Sequence, residues 1–239
     1  MTTRAAPISE SHHRDIQGGT ARAAVFGMSD GLVSNVAIVL GFAGANPVPG
    51  LVRLAGLAGL IGGAVSMAAG EYVSMTAQAE LLERELEMER IELRRRPESE
   101  RQELVSIYRS RGMSGDLADE LASHMMRDPD MALETHAREE LGIDPSSLGR
   151  PVGAAAWSFV TFSLGALVPL LPWFFLHGGA AVLTSVVLAG LAALGVGAAL
   201  ARFTGRGVVP SAARQLAVSA VPAALTYALG SAVGVGGIG

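Results

Sequence analysis

The sequence predicts an all-α integral membrane protein in which five transmembrane helices flank an acidic helical domain inserted between the second and third spans. Three observations carry that prediction. Five apolar stretches each reach the roughly 20 residues a helix needs to cross the hydrocarbon core. Only 17% of the 239 residues are charged, against about a quarter in a soluble domain. The charges are also concentrated: of 22 acidic residues, 18 lie between Glu80 and Asp144, together with 10 of the 18 arginines. The expected organisation is a tail over 1–20, two spans over 21–79, the helical domain over 80–149 and three spans over 150–239.

The elements follow in order. The tail carries Glu10, Arg14, Asp15 and the pair His12-His13 without an apolar run, unlike a secretory leader; the first apolar stretch is therefore expected to be a retained span. It runs from Ala21 to Ala45 and is closed by Asn46-Pro47-Val48-Pro49-Gly50, a strong turn signal. The second starts near Val52, and helix formers without Gly or Pro continue from Ala79 to Arg96, so one long helix is expected to run out of the membrane into water. Pro97 ends it. Glu98–Arg111 reads as an amphipathic helix with Leu104, Ile107 and Tyr108 on its apolar side. Ser114 is placed to cap a third helix, Gly115–Arg127, and Pro129 to open a fourth that stops at Gly142. Too small for a large core of its own, this domain is expected to lean on a partner subunit. The third span, Val152–Leu171, ends at Pro169, Pro172 and the interfacial aromatics Trp173-Phe174-Phe175. The fourth runs from Gly179 to Ala201 and the fifth from Ser211 to Val235, with Pro222 expected to kink it.

Arginine sets the expected orientation. The loop between the fourth and fifth spans carries Arg202, Arg206 and Arg214, and the tail Arg4, Arg14 and Arg22, whereas the opposite loops hold only Arg53 and His177. The positive-inside rule places the tail and the acidic domain in the cytoplasm. There is no lysine and no cysteine, which excludes disulfides, thiolate zinc sites and iron–sulfur ligation. No basic stripe runs beside aromatics, so nucleic acid is not an expected partner. No nucleophile, base and orienting group occur together, and the paired Glu-x-x-His motifs of a di-iron oxidase are missing, so no enzyme is expected.

Two acidic residues fall within the spans, Asp30 in the first and Glu71 in the second. A carboxylate in hydrocarbon costs about 2.5–3.5 kcal/mol on insertion scales and marks a bundle interior or an aqueous path. Met67 and Met75 lie four residues either side of Glu71, in one row on one helix face. Carboxylates suit hard divalent cations, and a thioether favours late first-row ions over Mg²⁺ or Ca²⁺. A path lined by Asp30, Met67 and Glu71 would pass Fe²⁺ or Mn²⁺, and the same carboxylates would take up protons. The bland alternative is that the methionines pack and Glu71 is solvated at a helix end. Gly59, Gly63, Ser66 and Gly70 repeat small residues along the second span, spacing that lets helices approach closely.

In the acidic domain Glu89 and Glu92 lie three apart, as do Glu100 and Glu103, so each pair presents two carboxylates on one helix face. The turn at Pro97 would fold the pairs together. Glu139 and Glu140 close the last helix, one turn after His136. Such a set would bind Fe²⁺, Mn²⁺, Zn²⁺ or Co²⁺ with modest selectivity. The competing reading is a solvated surface of ordinary ion pairs such as Glu80–Arg84 and Glu92–Arg96. Against it, Glu83–Glu87 and Glu85–Glu89 place like charges one turn apart.

Val25-Phe26-Gly27 followed by Asp30-Gly31-Leu32-Val33, and then Ser66-Met67-Ala68-Ala69-Gly70-Glu71-Tyr72-Val73-Ser74, resemble the signature helices of the vacuolar iron transporter family. The resemblance continues through Glu139-Glu140-Leu141-Gly142-Ile143 and covers nearly the whole chain after residue 12. It implies a homodimer with five spans per subunit, a path on the two-fold axis at Asp30 and Met67, with Glu71 in the same motif, and a cytoplasmic metal-collecting site at Glu89, Glu92, Glu100, Glu103 and Glu140. Where the family's eukaryotic members offer a Met-Glu pair, this chain has His136 and Ala137. The resemblance also implies Fe²⁺ or Mn²⁺ leaving the cytosol in exchange for protons, as substrates rather than resident cofactors. The membrane would be the plasma membrane in a bacterium and the vacuolar one in a eukaryote. A membrane-anchored metal sensor or buffer without transport is the alternative.

Overall fold

The computed structural model describes residues 19–46, 48–142, 144–145 and 149–234, with side chains from residue 24 onward. The His12-His13 pair, Arg4 and Arg14, the turn residue Pro47 and Ile143 lie outside the described residues. Eight α-helices follow one another among those described: α1 Gly19–Gly44, α2 Pro49–Arg95, α3 Pro97–Ser110, α4 Gly115–Met125, α5 Pro129–Glu139, α6 Pro151–Leu170, α7 Gly178–Thr204 and α8 Val208–Gly234. A short 3-10 turn, Leu171–Phe174, follows α6. Among the described residues, five helices are long and apolar enough to cross a membrane: α1, α2, α6, α7 and α8. The chain is thus all-helical with five candidate spans, as the apolar runs predict.

The expected long second helix is continuous over 47 residues, a length of roughly 70 Å at 1.5 Å per residue. Arg96 is the only residue between it and α3, and Pro97 occupies the first turn of α3, where its missing N–H costs nothing. Ser114 stands at the N-cap of α4 but its hydroxyl makes no capping bond, contrary to the sequence expectation. The side chain that does cap is Asp128, which accepts from the amides of Asp130 (2.9 Å) and Met131 (3.0 Å) at the start of α5. Pro222 lies inside α8, which stays helical on both sides of it.

The chain divides into two compact units. One holds α1, α2 through Ala68, and everything from Ala156 onward; the other is Ala69–Ala155. In the first, Leu32, Val36 and Leu40 of α1 pack on Ala189 and Ala193 of α7 and Ala223 of α8. Glycine sets how closely the helices cross. A Cβ on Gly27 would meet the Ser158 carbonyl oxygen at 2.9 Å, and one on Gly165 the Leu32 amide at 2.9 Å, so α1 and α6 touch backbone to backbone, a close approach open to small residues only. Of the small residues noted on α2, Gly59 faces Asn35 and Ile38 of α1 and Gly63 faces Phe162 of α6, while a Cβ on Gly70 meets nothing within 4 Å.

Four polar side chains donate across these helices, three of them to backbone carbonyls, as apolar surroundings favour. Asn35 Nδ2 donates to the Ala166 carbonyl (2.6 Å), Ser185 Oγ to the Pro169 carbonyl (2.7 Å), Gln215 Nε2 to Ser29 Oγ (2.6 Å) and Thr226 Oγ1 to the Ala37 carbonyl (2.7 Å). In the second unit, Leu104 and Tyr108 of α3 pack on Ala118 and Ala122 of α4. Arg101 joins Glu98 and Asp119 (both 2.6 Å) along the same seam.

Candidate metal centre

The site lies inside the second unit and is built from the ends of three helices. Glu89 on α2, Glu100 on α3, and His136 and Glu140 at the end of α5 each bring one ligand atom within 4.8 Å of the others. Three of the four are buried: His136 is fully enclosed, Glu89 is 4% exposed and Glu100 6%. Each occupies a core-facing position of its helix. Glu89 continues the line of Leu82 and Leu86 on α2, Glu100 precedes Leu104 and Tyr108 at four-residue spacing on α3, and His136 follows Ala132 on α5, with Leu86, Leu104, Tyr108 and Ala132 buried. Packing of these helices therefore carries the polar groups inward together.

His136 Nδ1 lies 3.2 Å from Glu89 Oε1 and 3.4 Å from Glu140 Oε2. Its hydrogen-bonding direction is toward Glu140. Glu89 Oε1, although nearer, is out of line and stays without a hydrogen-bond partner, as does His136 Nε2. A buried carboxylate oxygen in this state is costly, and Glu89 Oε1 lies within the four-residue cluster. Burial pushes the Glu89 carboxyl up to about 7, helped by the negative charges of Glu140, Glu100, Glu92 and Glu103 in that order. Burial likewise raises Glu100, with Glu103 adding to the shift and His136 opposing it. Carboxylates crowded at close range with too few cations hold protons they would otherwise lose, and a divalent cation would replace those protons.

The remaining residues singled out in the sequence take other places. Glu92 and Glu103 are exposed on the two helices that supply Glu89 and Glu100 and reach the cluster through their charge. Glu139 pairs with Arg111 at the end of α3. Ala137 is fully buried and offers no ligand atom. In the apolar bundle, Asp30 lies on an exposed face of α1 and accepts a hydrogen bond from Ser34 Oγ (3.0 Å). Met67 is half-buried against Ala64, Phe162 and Ala166. Glu71 is half-buried on α2 and Met75 is buried.

The family model described as the VIT family matches residues 21–231, nearly the full run of described helices. The chain belongs to the VIT family. Members of the VIT family are transporters rather than enzymes, and this one is accordingly a multi-pass membrane protein. Among its relatives, the vacuolar iron transporter of Acanthamoeba castellanii is 40% identical over 69% of this chain, a match that spans 60% of the relative's own length. Vacuolar iron transporter 1 of rice, Oryza sativa subsp. japonica, is 31% identical over 81% of this chain and 79% of its own. Vacuolar iron transporter 1 of Arabidopsis thaliana is 30% identical over 74% and 72%. Within that VIT family frame, four side chains on three helices form a cation-sized cluster of oxygen and nitrogen donors.

Proposed function

We propose that this VIT family chain moves Fe²⁺, and Mn²⁺ beside it, out of the cytosol in exchange for protons, working as a homodimer. The observation that carries the reading is the cluster of buried Glu89, Glu100 and His136 with exposed Glu140 in a relative of proteins named vacuolar iron transporters. Three carboxylates and one imidazole suit Fe²⁺, Mn²⁺, Zn²⁺ and Co²⁺ and lack the thiolates that would retain such ions tightly. On this reading α3–α5 lie on the cytoplasmic side and collect the ion, with Glu92 and Glu103 attracting it toward the cluster. Because Glu89 titrates near 7, loading releases protons and low pH unloads the site. The path runs past Met67 and Glu71 to Asp30. A carboxylate on the outward face of a membrane helix is expensive against lipid, which supports a second copy covering it on the two-fold axis. The membrane is the plasma membrane in a bacterial host and the vacuolar membrane in a eukaryotic one.

The test is Fe²⁺ and Mn²⁺ flux into proteoliposomes carrying a pH gradient, wild type against Asp30→Ala. Gradient-dependent flux that disappears in the variant establishes transport through this path. Wild type that moves neither ion while still binding both turns the protein into a sensor or buffer, and flux surviving in Asp30→Ala moves the path elsewhere.

A further inference from the structure

The acidic cluster holds one side chain whose chemistry differs from the rest. His136 is the one nitrogen donor among its four residues and is fully enclosed. Carboxylates suit Mg²⁺, Ca²⁺ and Mn²⁺ as well as later ions, whereas imidazole suits Fe²⁺, Zn²⁺ and their neighbours. The kind of ion the cluster takes therefore depends on whether His136 binds the ion or only pairs with the acids.

The distances favour binding. Nδ1 is the nitrogen that faces the carboxylates, 3.2 Å from Glu89 Oε1 and 3.4 Å from Glu140 Oε2. Ligands held on one ion by bonds of roughly 2.1 Å stand about 3.0 Å apart at a right angle and about 3.4 Å apart across a tetrahedral edge. Both separations fall within that window. Pairing accounts for them less well. A single Nδ1–H reaches one oxygen, and its direction is toward Glu140 at a length that is long for an N–H···O bond. Glu89 Oε1 is nearer, on a residue only 4% exposed, and is left with no partner. One cation would serve the nitrogen and both oxygens together, and Glu100 brings a third carboxylate within 4.8 Å of the same atoms.

Burial makes the nitrogen selective. An enclosed ring cannot swing aside for an ion that prefers oxygen, so such an ion would have to accept an imidazole or give up a coordination position. Ligation through Nδ1 leaves the remaining ring proton on Nε2, which has no partner. A histidine ligand normally gains strength from that outer hydrogen bond, so the site discriminates between ions without gripping any of them hard.

We propose that His136 is the specificity-determining ligand of the cluster, favouring Fe²⁺, Co²⁺ and Zn²⁺ over Mn²⁺ and Mg²⁺ through Nδ1. This rests on the reading of the cluster as a divalent-cation site and is independent of whether the ion is then transported.

The test is binding of Co²⁺, a redox-stable stand-in for Fe²⁺, and of Mn²⁺ by the purified full chain at one pH. His12→Ala and His13→Ala are included throughout, to remove the adjacent histidine pair as a competing ligand. His136→Asn offers an oxygen in place of the nitrogen. It should lower Co²⁺ affinity at least about tenfold, the lower end of what even an outer-shell change costs a metal site. Mn²⁺ affinity should stay nearly unchanged, so the preference for Co²⁺ falls by the same factor. Glu100→Gln, which removes charge but no nitrogen, should weaken both ions together and keep the preference. With His136 intact, the Co²⁺-loaded protein should show a paramagnetically shifted imidazole N–H proton, the signature of a ligating ring, and His136→Asn should lose it. Stoichiometric binding with an unchanged preference in His136→Asn overturns the assignment and leaves the cluster as a metal site. Absence of the shifted proton when His136 is present overturns it too, even if the asparagine variant does not fold. Failure of both ions to bind stoichiometrically removes the cluster reading and this one with it.

Discussion

At the scale of single residues, Glu89 carries the electrostatics of the acidic cluster. Its folded-state carboxyl titrates near 7 instead of 4.5, chiefly through burial. The folded state therefore holds this proton more tightly than the unfolded chain does. The sign follows from linkage: the metal-free protein is most favoured, as far as this group is concerned, below about pH 4.5. It loses that contribution as pH rises toward 7. The proposed metal binding would have the opposite dependence, because an ion needs the ionised carboxylate. Mn²⁺ affinity should fall by up to about tenfold per pH unit below 7 for this one proton and level off above it. Titration calorimetry at pH 6 and pH 8, in buffers of different ionisation enthalpy, reads both the affinity and the released proton. Glu89→Gln removes the buried charge but keeps its shape. It should raise the melting temperature of the chelated protein at pH 8 and abolish the further rise that Mn²⁺ produces in wild type. A variant that still gains stability from Mn²⁺ would take Glu89 out of the ligand set.

At the scale of helices, the sequence makes the spans and breaks legible because apolar length and proline act locally. The long helix stops just before Pro97 and Pro129 opens a helix, both as expected, although α3 takes in Pro97 itself, and α2 runs unbroken out of the apolar stretch. The subdivision of the acidic residues was less legible. Glu89 and Glu92, or Glu100 and Glu103, look alike as pairs three apart, yet only Glu89 and Glu100 are buried. The distinguishing signal is position within the apolar stripe: Glu89 follows Leu82 and Leu86, and Glu100 stands where Leu104 and Tyr108 continue. A carboxylate in a leucine's place is the better indicator, but it becomes decisive only once partner helices define the core. The absent cap at Ser114, by contrast, depends on a hydroxyl rotamer that no pattern specifies. The glycines are a further case where only the neighbour decides. A Cβ on Gly31 would collide with the Phe162 carbonyl, whereas one on Gly62 meets nothing within 4 Å. Gly31→Val should thus drive α1 and α6 apart and sharply lower the yield of monodisperse protein in detergent. Gly62→Ala should be tolerated, with a gain of up to about 1 kcal/mol from helix propensity. Comparable size-exclusion profiles for Gly31→Val and wild type would show that the two helices do not cross at that point.

For the whole molecule the unresolved cost is the outward face of α1. Phe26 is 61% exposed and Asp30, one turn on, is exposed beside it, while the intervening Gly27 is buried. Lipid contact would suit Phe26 but would charge the fold about 2.5–3.5 kcal/mol for an ionised Asp30. The proposed second copy on a two-fold axis would remove that cost, because an isologous contact would set α1 against α1 and enclose both carboxylates in a shared polar space. The chain has no cysteine, so single-cysteine variants report on this without background. Phe26→Cys should form a disulfide-linked dimer on mild oxidation in membranes, visible as a doubled mass on non-reducing gels. Val209→Cys, 78% exposed at the start of α8, should remain monomeric under the same conditions. Cross-linking at both positions in equal measure would indicate random collision, and none at Phe26 would leave Asp30 facing lipid or an aqueous groove within one subunit. The distinction reaches the mechanism: a shared space at the two-fold axis lets two carboxylates meet one ion, whereas an isolated Asp30 offers a single ligand and would need Met67 and Glu71 of its own chain to complete any passage.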